Sequence, residues 1–143
     1  MSHKIIIFTD GGARGNPGIA GAGAYITDGE GNCIKEAHRA LGVRTNNWAE
    51  YEAVILGLET LKKLYGKEKL KELEIEIKMD SELVQRQLTG KYRVKDADLK
   101  LQYAKLCGIM GCDFSPIKFT HIPREQNKDA DRLSNEAMDL RNK

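Results

Sequence analysis

Four acidic residues occupy positions where carboxylates can do chemistry. Asp10 closes an apolar run that reads as a strand, and Asp80 closes a second. Glu50 lies in the first turn of a long helical stretch, and Asp131 in the first turn of the last one. In an α/β sheet, strand C-termini and nearby helix N-termini gather at one rim, where ligands bind. Carboxylates that converge there repel and raise one another's pKa. Divalent cations resolve the conflict, and ligation by oxygen alone favours Mg²⁺ or Mn²⁺ over zinc.

Each acid also has a local reading. Asp80 before Ser81 fits a helix N-cap, and Asn47-x-x-Glu50 has the form of a capping box. Asp131 near a helix start complements the dipole. Asp10 is harder to account for locally, because a carboxylate that closes an apolar strand needs a partner. The cluster Gly11-Gly12-Ala13-Arg14-Gly15-Asn16-Pro17-Gly18 that follows is dense in turn residues. It is neither a dinucleotide fingerprint nor a P-loop: it leads into a strand rather than a helix, and it has no lysine at the required place.

The elements that must position these residues follow from periodicity. Lys4–Thr9 reads as a strand buried on both faces, Ala20–Thr27 as a second and Cys33–Leu41 as a third, with Asp28-Gly29-Glu30-Gly31-Asn32 as a hairpin turn between the last two. Asn47 to about Leu64 is helical, with Ala49, Ala53, Val54, Leu58, Leu61 and Tyr65 on one face and Gly66 as its stop. A lysine-rich loop carries Lys67, Lys69 and Lys71. Leu73–Met79 alternates as a half-buried strand. Short helices are expected over Ser81–Leu88 and Asp98–Ile109, a fifth strand over Ile117–Ile122 and a last helix over Asn127–Leu140. An opening meander is antiparallel, whereas strand–helix–strand crossovers join parallel neighbours, so the expected fold is α/β: a five-stranded mixed sheet with flanking helices.

The chain of 143 residues suits a single domain, with no repeat and no linker. At 41% hydrophobic and 31% charged residues it is neither disordered nor membrane-spanning in composition. A net charge of +2 is compatible with a nucleic-acid partner without identifying one. The N-terminal apolar run, Ile5–Phe8, is too short for a signal peptide, so the expectation is a soluble, intracellular (cytoplasmic) monomer without a membrane partner. Cys33, Cys107 and Cys112 make no disulfide framework or zinc motif and read as buried or half-buried free thiols.

Several short segments carry a family resemblance in order along nearly the whole chain. These are Phe8-Thr9-Asp10-Gly11-Gly12 with Gly15-Asn16-Pro17-Gly18, then Thr45-Asn46-Asn47-Trp48-Ala49-Glu50-Tyr51, then Asp80-Ser81, then Ala130-Asp131-Arg132-Leu133. Together they closely resemble type 1 ribonuclease H. The resemblance implies an endonuclease that cuts the RNA strand of an RNA–DNA hybrid with two metal ions about 4 Å apart, leaving 5′-phosphate and 3′-hydroxyl ends. It implies that Asp10 bridges both ions, that Glu50 and Asp80 ligate one, and that Asp131 helps hold the other. Gly11, Asn16, Asn46 and Asn47 match positions that touch the hybrid's minor groove or backbone. Glu50 also matches one that meets a 2′-hydroxyl, and Thr45 one that holds a DNA phosphate. Turn and cap chemistry is the local alternative for these residues.

The sequence departs from the family pattern in two places. Between Gln87 and Ile109 there is no long basic protrusion, only Lys91-Tyr92-Arg93-Val94-Lys95, a run usual in solvated loops; the chain thus resembles the compact branch of the family. The loss of that protrusion implies weaker or more salt-sensitive binding. Near Asp131, where many relatives place a mobile histidine, this chain has Arg124 at the Pro-Arg-Glu-x-Asn position and His121 at a strand end. Arg124 is the first choice for the auxiliary role, which for an arginine means phosphate or leaving-group stabilisation rather than general-base work. The rival reading is a hybrid- or duplex-binding module without catalysis. Whether RNA–RNA duplexes are cut is left open by the residues.

Overall fold

A computed structural model describes residues 3–141; Met1 and Ser2, which precede the N-terminal apolar run, lie outside them. The chain runs β1 (His3–Arg14), β2 (Gly18–Asp28), β3 (Cys33–Arg44), α1 (Asn46–Tyr65), α2 (Lys67–Leu70), β4 (Leu73–Met79), α3 (Glu82–Leu88), α4 (Ala97–Asp113), β5 (Ile117–His121), a single 3₁₀ turn (Arg124–Gln126) and α5 (Lys128–Arg141). The five strands form one sheet in the order β3-β2-β1-β4-β5. The β1/β2 and β2/β3 pairs are antiparallel, and β1/β4 and β4/β5 are parallel. This is the mixed sheet that the meander and the crossovers imply.

The main core lies between one face of the sheet and α1. Ile5, Ile7, Ala22, Ala24, Ile26, Ile75 and Ile77 meet Ala53, Val54, Leu58 and Leu61 there, all of them buried. α1 is buried well beyond the stripe read from its period: every residue from Ala49 to Leu58 is inside. Its partners are the sheet on one side and α4 on the other, so most of its circumference is covered.

Six expectations need correction. β1 is not buried on both faces: Ile5, Ile7 and Thr9 are buried, whereas Ile6 and Phe8 are half-buried. On the second face α5 packs over the glycine half of β2, at Gly21 and Gly23, rather than over the Ile6–Phe8 end. β1 also does not stop at Asp10, because Gly11 to Arg14 continue in register with Ala22 to Ile19, which confines the turn to the residues before Gly18. The loop of Lys67 and Lys69 contains the short helix α2, anchored by buried Leu70. α4 passes through Gly108 and Gly111 to Asp113, where Asp113 pairs with Lys62 at 2.7 Å. The N-cap of α1 is Thr45, whose hydroxyl accepts from Trp48 N, so the Asn47/Glu50 capping box does not form. All three cysteines are exposed: Cys33 opens the edge strand β3, and Cys107 and Cys112 take outward positions on α4 while Leu99, Gln102 and Leu106 face inward.

The segment Lys91–Lys95 is exposed except for half-buried Val94. The Arg86 guanidinium lies 5.2 Å from the Tyr92 ring centroid. No helix among the described residues is long and apolar enough to cross a membrane.

Candidate active site

Asp10, Glu50 and Asp80 meet at the C-terminal rim of the central strands, each offering a carboxylate oxygen within 4.8 Å of the others. β1 and β4 are parallel neighbours, with Thr9 paired to Met79, so the residues that follow them, Asp10 and Asp80, emerge side by side. Ser81 caps α3 by accepting from Val84 N, which leaves the Asp80 carboxylate to the cleft rather than to a helix start. Glu50 reaches the cluster from the first turns of α1. It gets there because Gly11 has no side chain: a Cβ at Gly11 would lie 2.1 Å from the Ala49 carbonyl oxygen. Strand and helix touch at that point, and Gly11 N–H donates to Glu50 Oε1 at 2.6 Å.

Asp131 lines the same cavity from the first turn of α5, together with Gly11, Asn46, Asn47, Arg124 and Ser134, around a space of about 400 Å³. It is exposed, unlike the inner trio, and stands outside their 4.8 Å cluster. Arg124 reaches the cavity from the exposed 3₁₀ turn, whereas His121, exposed at the end of β5 beside Met79, is not among its lining residues. Asn16 and Asn46 form a brace: Asn16 Oδ1 accepts from Asn46 N at 3.0 Å, and Asn46 Oδ1 accepts from Ala13 N at 2.8 Å. Together with the Thr45 cap they tie the β1–β2 turn to the start of α1. Their cap and turn functions are therefore real, and both asparagines and Thr45 are exposed at the surface.

Asn127 escaped the sequence reading. Only 1% exposed, it donates from Nδ2 to the Thr9 carbonyl at 2.9 Å and to Asp80 Oδ2 at 3.1 Å. Its Oδ1 is buried without a partner among the described residues. An asparagine just ahead of a helix reads as a cap, and nothing local in the sequence marks it as buried between two strands.

The trio carries an electrostatic conflict. Burial raises the Asp10 carboxyl to about 7, reinforced by the charges of Asp80 and Asp131. Burial and the neighbouring Asp10 hold Glu50 well above the ordinary carboxylate range, against the Gly11 N–H bond. Oxygen donors alone, drawn together against their repulsion, fit a hard divalent cation.

The sign of the pH dependence follows. A carboxyl whose pKa is raised in the fold binds more protons folded than unfolded, so between about pH 4 and pH 7 stability falls as pH rises. In chelator, the melting temperature is expected to be lower at pH 8 than at pH 5.5 by about 5 °C. Adding Mg²⁺ at pH 8 should recover it. A melting curve that is flat in pH and unmoved by Mg²⁺ would show that the cluster is not under this tension.

The family model described as "Reverse transcriptase-like" matches residues 8–137. A protein named Ribonuclease H from Hydrogenovibrio crunogenus is 30% identical over 96% of this chain and 97% of its own. The solved structure of LC11-RNase H1, in complex with an RNA/DNA hybrid, is 50% identical and superposes with a TM-score of 0.93 over 97% of this chain and 99% of its own. This chain belongs to the type 1 ribonuclease H family. A bifunctional protein of Mycobacterium tuberculosis is also 40% identical over 95% of this chain, which spans about a third, 36%, of that relative's length. Within the family, the five-stranded mixed sheet and its flanking helices are the shared frame.

Proposed function

We propose that this type 1 ribonuclease H is a metal-dependent endonuclease that hydrolyses the RNA strand of RNA–DNA hybrids. The observation that carries the reading is the Asp10–Glu50–Asp80 cluster, with Asp131 across the same cavity. The hybrid bound to LC11-RNase H1, a protein half identical to this one, supports the substrate class. Asp10, Glu50 and Asp80 would hold one Mg²⁺ or Mn²⁺, and Asp10 with Asp131 a second. Such a pair of ions supplies an activated water and charge stabilisation at the leaving 3′-oxygen, giving 5′-phosphate and 3′-hydroxyl ends.

The protein's own residues set the geometry. Gly11 N–H and Asn127 Nδ2 each occupy one oxygen of Glu50 and Asp80, which aims the carboxylates before substrate arrives. The Asn16–Asn46 brace and Asn47 form the wall against which a minor groove with its 2′-hydroxyls would lie, and that group distinguishes RNA from DNA. Thr45 at the α1 N-terminus would face a DNA phosphate. Binding without the long basic protrusion is expected to be salt-sensitive. The protein acts as an intracellular monomer in this reading.

Of the two arginines that line the cavity, Arg14 pairs with Asp139 at 2.8 Å, and Arg124 would stabilise phosphate or leaving-group charge. Arg124→Ala is expected to lower kcat by about tenfold or more, while His121→Ala stays within about twofold. The reverse ranking would move the auxiliary role to His121.

The test of the function uses one labelled RNA annealed to DNA, annealed to RNA, or left single-stranded, incubated with Mg²⁺, Mn²⁺ or chelator. Internal, metal-dependent cuts confined to the hybrid are expected. Cutting of the RNA–RNA duplex would widen the substrate class. A hybrid that is bound but uncut under both metals would make the protein a binding module.

A further inference from the structure

Each carboxylate of the inner trio has one oxygen held by the protein. Gly11 N–H holds Glu50 and Asn127 holds Asp80; Asp10 Oδ2 accepts from Ser134 Oγ at 3.2 Å. Ser134 lies on α5, three residues after Asp131, and is 1% exposed. Its hydroxyl has one proton and two acceptors in reach, Asp10 Oδ2 and the Asp131 carbonyl oxygen at 2.9 Å. The bland account is back-bonding to the preceding helical turn, a habit of serines in helices. The Asp131 carbonyl, with two lone pairs, also accepts from the Asn135 side chain at 2.9 Å and so does not depend on Ser134. Among the described residues, Ser134 is the hydroxyl or amide donor that the structure gives the Asp10 carboxylate.

The seat of α5 fixes where that hydroxyl points. Asp10 is paired across the sheet with Gly23. A Cβ at Gly23 would lie 2.5 Å from the Ala130 carbonyl and 2.7 Å from Ser134 N. A Cβ at Gly21 would lie 2.5 Å from the Ser134 carbonyl. The helix backbone therefore rests directly on β2 at the two glycines flanking Ala22, at the level of Asp10. No side chain intervenes to let Ser134 drift. A donor so held on a ligand carboxylate selects its rotamer and offsets part of its repulsion with Glu50 and Asp80.

We propose that Ser134 is a positioning residue for metal binding: its buried hydroxyl fixes the Asp10 carboxylate in the orientation that receives the divalent cation, and it couples that orientation to the seat of α5. This rests on the reading of Asp10 as a metal ligand.

Calorimetric titration of the full chain with Mg²⁺ and with Ca²⁺, in the absence of nucleic acid, tests it. Wild type, Ser134→Ala, Ser134→Cys and Asp10→Asn are compared. Alanine keeps the helix and removes the donor; cysteine keeps the volume and donates weakly. Both are expected to bind each cation about tenfold more weakly than wild type, with metal-free melting temperatures showing an intact fold. Asp10→Asn should bind far more weakly still. Unchanged affinity in Ser134→Ala, with Asp10→Asn impaired, would overturn the role of Ser134 and leave the metal site standing. Wild-type affinity in Ser134→Cys beside a weak Ser134→Ala would reduce Ser134 to a space-filling residue and also overturn the proposal. No binding by wild type would remove the metal reading itself and this inference with it.

Discussion

Asp10→Asn is expected to abolish hydrolysis of the hybrid, by about a thousandfold or more at saturating Mg²⁺, while raising the melting temperature of the metal-free protein at pH 8. The activity loss follows from the central place of Asp10 in the cluster. Removing one charged ligand forfeits several kcal/mol of transition-state stabilisation, at about 1.4 kcal/mol per tenfold in rate. The stability gain follows from the same charge. Asp10 is 9% exposed, its pKa is raised by burial and by Asp80 and Asp131, and near neutrality its ionised form is held against its environment. An amide of the same shape keeps the place and removes the repulsion. It also retains an oxygen to accept the Ser134 hydroxyl. Two measurements check the pair of effects: single-turnover cleavage, and thermal unfolding in chelator. Retained turnover would remove the metal-holding role of Asp10. A lower melting temperature would mean that its carboxylate supports the fold more than it strains it.

The second large effect is expected at Gly11. In Gly11→Ala the new methyl meets the α1 backbone rather than a side chain, at 2.1 Å from Ala49 O, 2.2 Å from Ala49 C and 2.5 Å from Glu50 N. Backbone cannot turn aside as a side chain can, so β1 and α1 must separate. That displacement opens the main core and pulls Glu50 away from the Gly11 N–H that holds it. Overpacking of this kind costs about 3 kcal/mol, or ~10 °C in melting temperature, and a misplacement near 1 Å at the reacting centre costs roughly a hundredfold in rate. Gly12→Ala is the matched control for stability, because its Cβ would find only Asn46 Oδ1 at 4.0 Å, and its melting temperature should stay within about 2 °C. The resemblance gives Gly11 a contact with the nucleic acid. A Gly11→Ala protein of wild-type stability with weakened hybrid binding would favour that contact over the close approach of strand and helix.

Much of the architecture was legible in the residues because it is local. The β-branched run Ile5–Ile7, the hairpin signal at Asp28–Asn32 and the alternation of Leu73–Met79 describe the faces of their own segments. The gathering of Asp10, Glu50, Asp80 and Asp131 at one rim was equally readable, since an α/β sheet collects such positions there, although β1 runs on past Asp10 to Arg14. The ambiguity of Glu50 was not resolvable on those terms. Its place near the start of α1 is the same for an exposed capping residue and for a buried member of the acidic cluster. What decides between them is Gly11, 39 residues away, whose missing side chain lets the helix touch the strand.

The same division holds elsewhere. Periodicity reported that Lys4–Thr9 is apolar, but whether both faces of β1 are covered depends on where α5 comes to rest, and that is set by Gly21 and Gly23 on a neighbouring strand. The cysteines are exposed because other residues of their elements face the core. Asn127 and Ser134 look like a helix start and a helix surface in the sequence. They are buried donors only because α5 and the turn before it close over Thr9, Asp10 and Asp80. Most elements, their order and the acids at the rim could be read from neighbours along the chain, whereas the short helix α2 and the ends of β1 and α4 could not. Which carboxylates are buried, which oxygens are held and how near the helices come depend instead on contacts between segments far apart in sequence, and only the folded chain supplies those.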